Sequence, residues 1–218
     1  MGYGIKLEVW GDYALFTRPE MKVERVSYDV ITPSAARGLI EAIYWKPAIK
    51  WVIDKIYVYN QIQFTNIRRN EVCTKISKSS AKALMEGKKQ FDYINTNEQR
   101  QQRAAMVLKD VRYVIEAHFE MTNKAGEADT VEKHYNIALR RMRTGQCYHM
   151  PCFGCREFPA NFKLLEEDIT VTDFVGEKDL GYMLYDMDFS DSENIYPVFF
   201  RAKMVDGVID LKDIDIVG

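Results

Sequence analysis

The chain has 218 residues, 47% of them hydrophobic and 28% charged, a balance that excludes a disordered or fibrous protein and fits an ordinary globular one. No apolar run reaches the length needed to span a bilayer, because charges such as Lys50, Asp54 and Lys55 break the longest stretches. The formal net charge of −2 conceals an asymmetry: residues 1–164 hold 26 Lys and Arg against 18 Asp and Glu, whereas residues 165–218 hold 4 against 14. A basic body with an acidic C-terminal segment suits a chain that meets nucleic acid on one side. A solvated surface whose charges happen to segregate accounts for it equally well. The opening segment MGYGIKLEVW lacks the basic-then-apolar layout of a secretory signal, so a cytoplasmic location and no membrane partner are expected.

The first predicted element is a strand over Ile5–Trp10, where Ile5, Leu7 and Val9 alternate with Lys6 and Glu8 and Gly11 ends the run. Thr32-Pro33 then offers an N-cap and a first helical residue, predicting a helix to about Tyr44 that Pro47 stops. Ala36, Leu39, Ile40 and Ile43 form its buried stripe, with Arg37, Glu41 and Tyr44 on the other side. That places Tyr44 outside the core, either as an amphipathic ring lying over the helix or as a functional group.

Residues 51–69, rich in Ile, Val, Tyr and Phe with Asn60 and Gln61 between, predict a β-hairpin. The polar stretch 76–105 is expected to be an insertion. Val111–Met121 is the clearest strand, with Val111, Tyr113, Ile115, Ala117, Phe119 and Met121 on an apolar face and His118 on the polar one. A histidine there is either simply solvated or functional. Thr130–Arg143 predicts a second helix, burying Val131, Tyr135, Ala138 and Met142 and exposing Asn136, Arg140 and Arg143. Gly145 ends it, and a return strand is expected from Tyr148 to Phe158.

Cys147, His149, Cys152 and Cys155 cluster in sequence, but no second CxxC pair accompanies them and strand alternation would send neighbours to opposite faces. With Cys73, they are expected to be free buried thiols, with no metal and no cofactor. The element order strand, helix, strand pair, strand, helix, strand predicts an α+β fold, a ferredoxin-like (RRM-like) N-terminal domain over residues 1–160. The acidic residues 161–218 are expected to form a small antiparallel β lobe.

Five strings, GDYALF at 11–16, YWKP at 44–47, NIRRNEV at 66–72, EAHFE at 116–120 and GCREFPA at 154–160, together resemble the type I-C CRISPR endoribonuclease subunit of the repeat-associated mysterious protein superfamily. The resemblance implies metal-independent cleavage of precursor CRISPR RNA at its repeat hairpin, by attack of the 2′-OH, leaving a 2′,3′-cyclic phosphate and a 5′-OH. It also implies that the protein stays on the crRNA 5′ handle beside other Cascade subunits. The family's catalytic tyrosine and histidine match Tyr44 and His118. Its lysine has no match beside His118, where Glu116 and Ala117 stand, so Lys46 and Lys109 are the available candidates. Arg37, Arg68, Arg69, Arg140, Arg141 and Arg143 are the candidate RNA ligands. Two other functions fit the same residues: a non-catalytic scaffold on the crRNA handle, and a module for duplex DNA.

Overall fold

Period-two alternation runs further along the chain than the predicted strands do. In the computed structural model, which describes residues 3–21, 23–170, 172–191 and 193–218, β1 spans Gly4–Ala14 and passes through Gly11 instead of ending there. Gly11 serves packing: a Cβ on it would lie 2.9 Å from the Pro159 carbonyl and 3.0 Å from the Phe153 ring. After β2 (Arg25–Val26) comes α1 (Pro33–Ile43), where the Thr32 hydroxyl accepts from the Ala35 amide at 3.2 Å.

The central element is β5 (Arg100–Met121), a 22-residue strand. It starts at Arg100, not Val111, so the predicted insertion at 76–105 holds both α2 (Lys78–Met85), which buries no residue, and the start of β5. One edge of β5 pairs with β1 and, further back, with β2. The other edge pairs with β3 (Ile49–Val58) over Tyr113–Met121 and with β4 (Phe64–Val72) over Arg100–Leu108. The predicted 51–69 hairpin therefore does not form. Both strands run antiparallel to β5, end to end, so the chain continues in one direction between them. The polar turn signal at Asn60 is spent elsewhere: its side-chain amide donates to the Asp110 carbonyl at 2.9 Å, where β5 takes φ +50°.

α3 (Val131–Thr144) is capped by Thr130 and ends at Gly145 with φ +69°. The predicted strand over Tyr148–Phe158 is instead a loop with a single bridge, Cys152 to Pro159, because Pro151 and Gly154 interrupt the alternation. The chain then forms β6 (Asn161–Leu164), β7 (Glu177–Asp188), β8 (Tyr196–Val205), β9 (Val208–Asp210) and β10 (Ile216–Val217). The result is an α+β protein built on a mostly antiparallel sheet in the order β10-β8-β9-β3-β5-β1-β6. The acidic segment joins it through β9, which pairs with β3 at Lys55–Asp210 and Ile56–Ile209. Ile5, Leu7 and Val9 of β1 and Ile115, Ala117 and Phe119 of β5 share one buried core with Leu39, Ile40 and Ile43 of α1 and Ala138 and Met142 of α3. The alternate residues of the same strands face away from the helices. Among the described residues no helix is long and apolar enough to cross a membrane.

Gly154 ties the 147–158 loop to the end of β1. Its φ is +82°, and a Cβ would come within 2.0 Å of the Leu15 carbonyl. Gly154→Ala should cost about 2–4 kcal/mol, lowering Tm by roughly 5–15 °C in a melting scan.

Candidate active site

His118 lies on β5, facing away from the helices, with its side chain 35% exposed. Its Nδ1 sits 3.0 and 2.9 Å from the two carboxylate oxygens of Asp54 on the neighbouring strand. A carboxylate only accepts, so Nδ1 must carry the proton it donates, which leaves Nε2 as the nitrogen able to take a proton from a bound molecule. Asp54 reaches this face by ordinary alternation, two residues on from Val52, the β3 partner of His118, and β3 then bulges between Ile53 and Lys55. The bulge sets Asp54 and Lys55 on the same side and is anchored where the Asp54 carbonyl accepts from the Leu211 amide at 2.9 Å. The surroundings follow from register. Gly4 stands directly opposite His118 on β1, so no side chain crowds the ring from that strand. Lys6 faces Glu116, and Lys50 faces Glu120, each one same-face position along from the partner of His118. Both lysines thus flank the imidazole at diagonal sites, about 7–8 Å away by strand geometry. Lys50 is exposed, while Lys6 reaches Asp168 at 3.9 Å. Tyr57, further along β3 on this face, has its hydroxyl pushed up to about 12 by burial first and by the Glu116 carboxylate next.

Tyr44 lies elsewhere. It is the C-cap of α1, in extended conformation, which turns its ring inward: it is 1% exposed, so the expected position on the polar stripe is corrected. Its hydroxyl sits 2.7 Å from Nδ1 of His134, a histidine of α3 that is 2% exposed. His134 Nε2 lies 3.2 Å from Asp129 Oδ1 but off the line of a hydrogen bond. The Tyr44 carbonyl accepts from the Trp51 indole at 2.9 Å, and Trp51 packs edge-on against Phe119, whose ring also faces His134. Phe119 and His118 are adjacent in one strand, so Tyr44 and His118 occupy opposite sides of the sheet. Burial raises the Tyr44 hydroxyl above its ordinary range, with Arg141 opposing and Asp129 reinforcing the shift.

Neither lysine picked from sequence stands beside His118. Lys109 is exposed and nine residues earlier in β5, about 30 Å away along the strand. Lys46 is exposed in the turn before β3 and lines a cavity of about 600 Å³ on the helix side with Glu41, Trp45, Arg141, Tyr148 and His149. The arginines divide in two. Arg37 is held by Asp186 and lies 3.6 Å from Glu41, Arg69 pairs with Glu157, and Arg143 pairs with Glu166 at 2.7 Å. Arg141 donates to the Ile43 carbonyl at 2.8 Å with its guanidinium over the Tyr44 ring. Arg68 and Arg140 are exposed and, among the described residues, without an ion-pair partner. All four cysteines are free thiols, but the expected burial is corrected: Cys73 is exposed and Cys147, Cys152 and Cys155 are half-buried. Burial raises the Cys152 thiol above its ordinary range.

An antiparallel sheet with its helices on one face, and a histidine–carboxylate pair between two lysines on the other, defines a class of α+β protein equipped to hold a polyanion beside a proton-transfer group. The chain belongs to the CRISPR-associated protein (Cas_Cas5) family, whose model matches residues 4–212. It is 53% identical over 219 residues to the CRISPR pre-crRNA endoribonuclease Cas5d of Mannheimia succiniciproducens, covering 97% of this chain and 96% of that one. It is 38% identical over 224 residues to the protein of the same name from Thermus thermophilus, covering 95% and 90%. A crystal structure of a CRISPR-associated protein superposes with a TM-score of 0.72 at 24% identity, covering 100% of this chain and 97% of the other, and so shares its fold.

The buried Tyr44–His134 contact has a testable energetic consequence. Tyr44→Phe should leave the His134 Nδ1 unpartnered and cost about 1–3 kcal/mol in a denaturant titration. An unchanged midpoint would show that this hydrogen bond contributes nothing to the fold.

Proposed function

We propose that this protein is an endoribonuclease that cleaves precursor CRISPR RNA, with His118 and Asp54 at the reacting phosphate. Family membership and the two named relatives support the activity. The observation that carries the site is the half-exposed imidazole braced by both oxygens of Asp54. RNA holds its own nucleophile, so the enzyme has to deprotonate the 2′-OH, align it with the phosphorus and stabilise the charge that develops. His118 Nε2 accepts the proton. Asp54 is a positioning residue that fixes the ring and stabilises the imidazolium. Lys50, with Lys6 on the other side of the ring, supplies the positive charge for the phosphate. The 2′ oxygen then bonds to phosphorus as the P–O5′ bond breaks, and the leaving 5′ oxygen takes a proton from water, giving a 2′,3′-cyclic phosphate and a 5′-OH with no metal required. Tyr44 enters this reading by fixing the end of α1 through His134, and Arg68 and Arg140 are the exposed contacts for phosphates.

The same reading takes β1, α1, β3, β5, α3 and β6 as a ferredoxin-like unit, since their sheet order β3-β5-β1-β6 is antiparallel throughout with the two helices in the places that fold requires. The chain after β6 forms its β lobe, so the lobe begins at residue 165 and not at the expected 161. The motif resemblance supports membership of a type I-C complex in the cytoplasm, on the crRNA 5′ handle beside other Cascade subunits. Duplex DNA remains the competing ligand to test against repeat RNA.

Single-turnover cleavage of a labelled repeat RNA tests the chemistry. His118→Ala should slow it by about 10²- to 10⁴-fold with repeat affinity within a few fold. Asp54→Asn should lower kcat by about tenfold or more with KM unchanged. Wild-type cleavage by His118→Ala would sink the assignment, and a wild-type protein that binds the repeat but never cuts it would decide for the scaffold.

Metal independence has its own measurement: cutting should persist in excess EDTA and stop when the nucleotide 5′ to the cut carries 2′-deoxyribose, with affinity kept. Activity abolished by EDTA and restored by a divalent ion would replace this mechanism with a metal-assisted one.

A further inference from the structure

We propose that the cavity between α1 and the 145–151 loop binds one unpaired guanosine nucleotide of the RNA, an assignment that rests on the RNA-processing reading. The cavity is about 600 Å³, within the range of small-ligand sites and large enough for one nucleotide. Trp45 and Tyr148 line it while 52% and 82% exposed, leaving two aromatic faces in water. Exposed aromatics among cations suit stacking of single-stranded bases, since every base has a π-face. The loop that carries Tyr148 is fixed: the amides of Tyr148 and His149 both donate to the Ala42 carbonyl, at 2.9 and 3.2 Å. Lys46, Arg141 and His149 supply donors for a phosphate, and Arg141 is preset by the Ile43 carbonyl and the Tyr44 ring.

Glu41 decides which base. Its side chain is 33% exposed, lines the cavity, and accepts no hydrogen bond among the described residues. Arg37 approaches only to 3.6 Å and is committed to Asp186. A carboxylate accepts two parallel donors, and the Watson–Crick edge of guanine alone offers two adjacent ones, N1–H and N2–H. Adenine and cytosine set an acceptor beside their amino group, and uracil sets two acceptors around its single donor, so each would meet carboxylate repulsion. A paired guanine hides this edge, so the nucleotide must be unpaired. Burial raises the Glu41 carboxyl above the usual carboxylate range, which fits a group without a full complement of donors.

The test uses fluorescence anisotropy with labelled RNA pentamers UUGUU, UUAUU, UUCUU and UUUUU at low salt. UUGUU should bind about tenfold tighter than the others. Trp45→Ala with Tyr148→Ala should weaken it by about tenfold or more, and Glu41→Gln should remove the preference for guanine. Both variants change exposed or half-buried side chains, and melting scans verify their folding. No preference among the pentamers, or unchanged affinity in a folded double variant, overturns the pocket. Cleavage of repeat RNA by the unaltered protein reports separately on the activity, so either reading can fail without the other.

Discussion

The backbone hydrogen bonds of β5 organise this molecule. A strand of 22 residues must satisfy its amides and carbonyls on two edges, and β1, β2, β3 and β4 divide them. Once β1 and β3 pair with its C-terminal half, side-chain parity is fixed across three strands. Ile115, Ala117 and Phe119 must go to the helices, and Glu116, His118 and Glu120 to the open face. A one-residue slip of β1 would turn Ile5, Leu7 and Val9 outward and bury Lys6 and Glu8, so register is strongly enforced. The bulge at Ile53–Lys55 is a local exception: it adds Lys55 to the face on which alternation already sets Asp54 beside His118.

Charge is distributed under a second constraint. Arg37, Arg69 and Arg143 are each held by a carboxylate, while Arg141 is oriented by a carbonyl that leaves its charge unneutralised. A held guanidinium near the surface contributes little to stability, but it is pre-oriented and less available to a new phosphate. The basic excess of residues 1–164 therefore overstates the charge free to bind RNA. Arg68 and Arg140 are the parts of it that remain uncommitted, far from each other in chain order and on different elements.

Local signals were read correctly and partnerships were not. The Thr32-Pro33 cap, the Gly145 stop, the buried stripe of α1 and the open-face position of His118 all follow from spacing within one element. The α+β class follows from their order. Tyr44 was misplaced because the helical wheel stops applying at the C-cap, where extended backbone turns the ring inward. The 51–69 hairpin failed because its turn residues are consumed by β5. Asp54, Lys50 and Lys6 are not legible for a related reason: each neighbours His118 across strands, and only the register shows it. His134 had a local signal, lying four residues before Ala138 on the buried side of α3, and was passed over because a histidine is a poor core residue until a partner such as the Tyr44 hydroxyl is known.

The parity that separates Tyr44 from His118 also relates the two surfaces on which RNA chemistry is placed here. Lys46 and Pro47 line the cavity on the helix side, and the chain runs from them directly into β3, where Lys50 already points to the open face beside His118. The chain between them is a tight turn in which the Ile49 amide donates to the Lys46 carbonyl at 3.1 Å, so the step from Lys46 to Lys50 is short. An RNA passing over this end of the sheet could seat one base against Trp45 and Tyr148 and present a nearby phosphate to Lys50 and His118. It would need no opening of the core, since both surfaces are exposed and the Tyr44–His134–Trp51 cluster stays buried between them. The buried cluster then sets the spacing of the two sites: Trp51 bonds the Tyr44 carbonyl from the first turn of β3, so the 44–51 segment cannot lengthen without breaking that bond. In the proposed reading the base pocket and the reacting phosphate are therefore joined by one short segment held by the Tyr44–Trp51 bond.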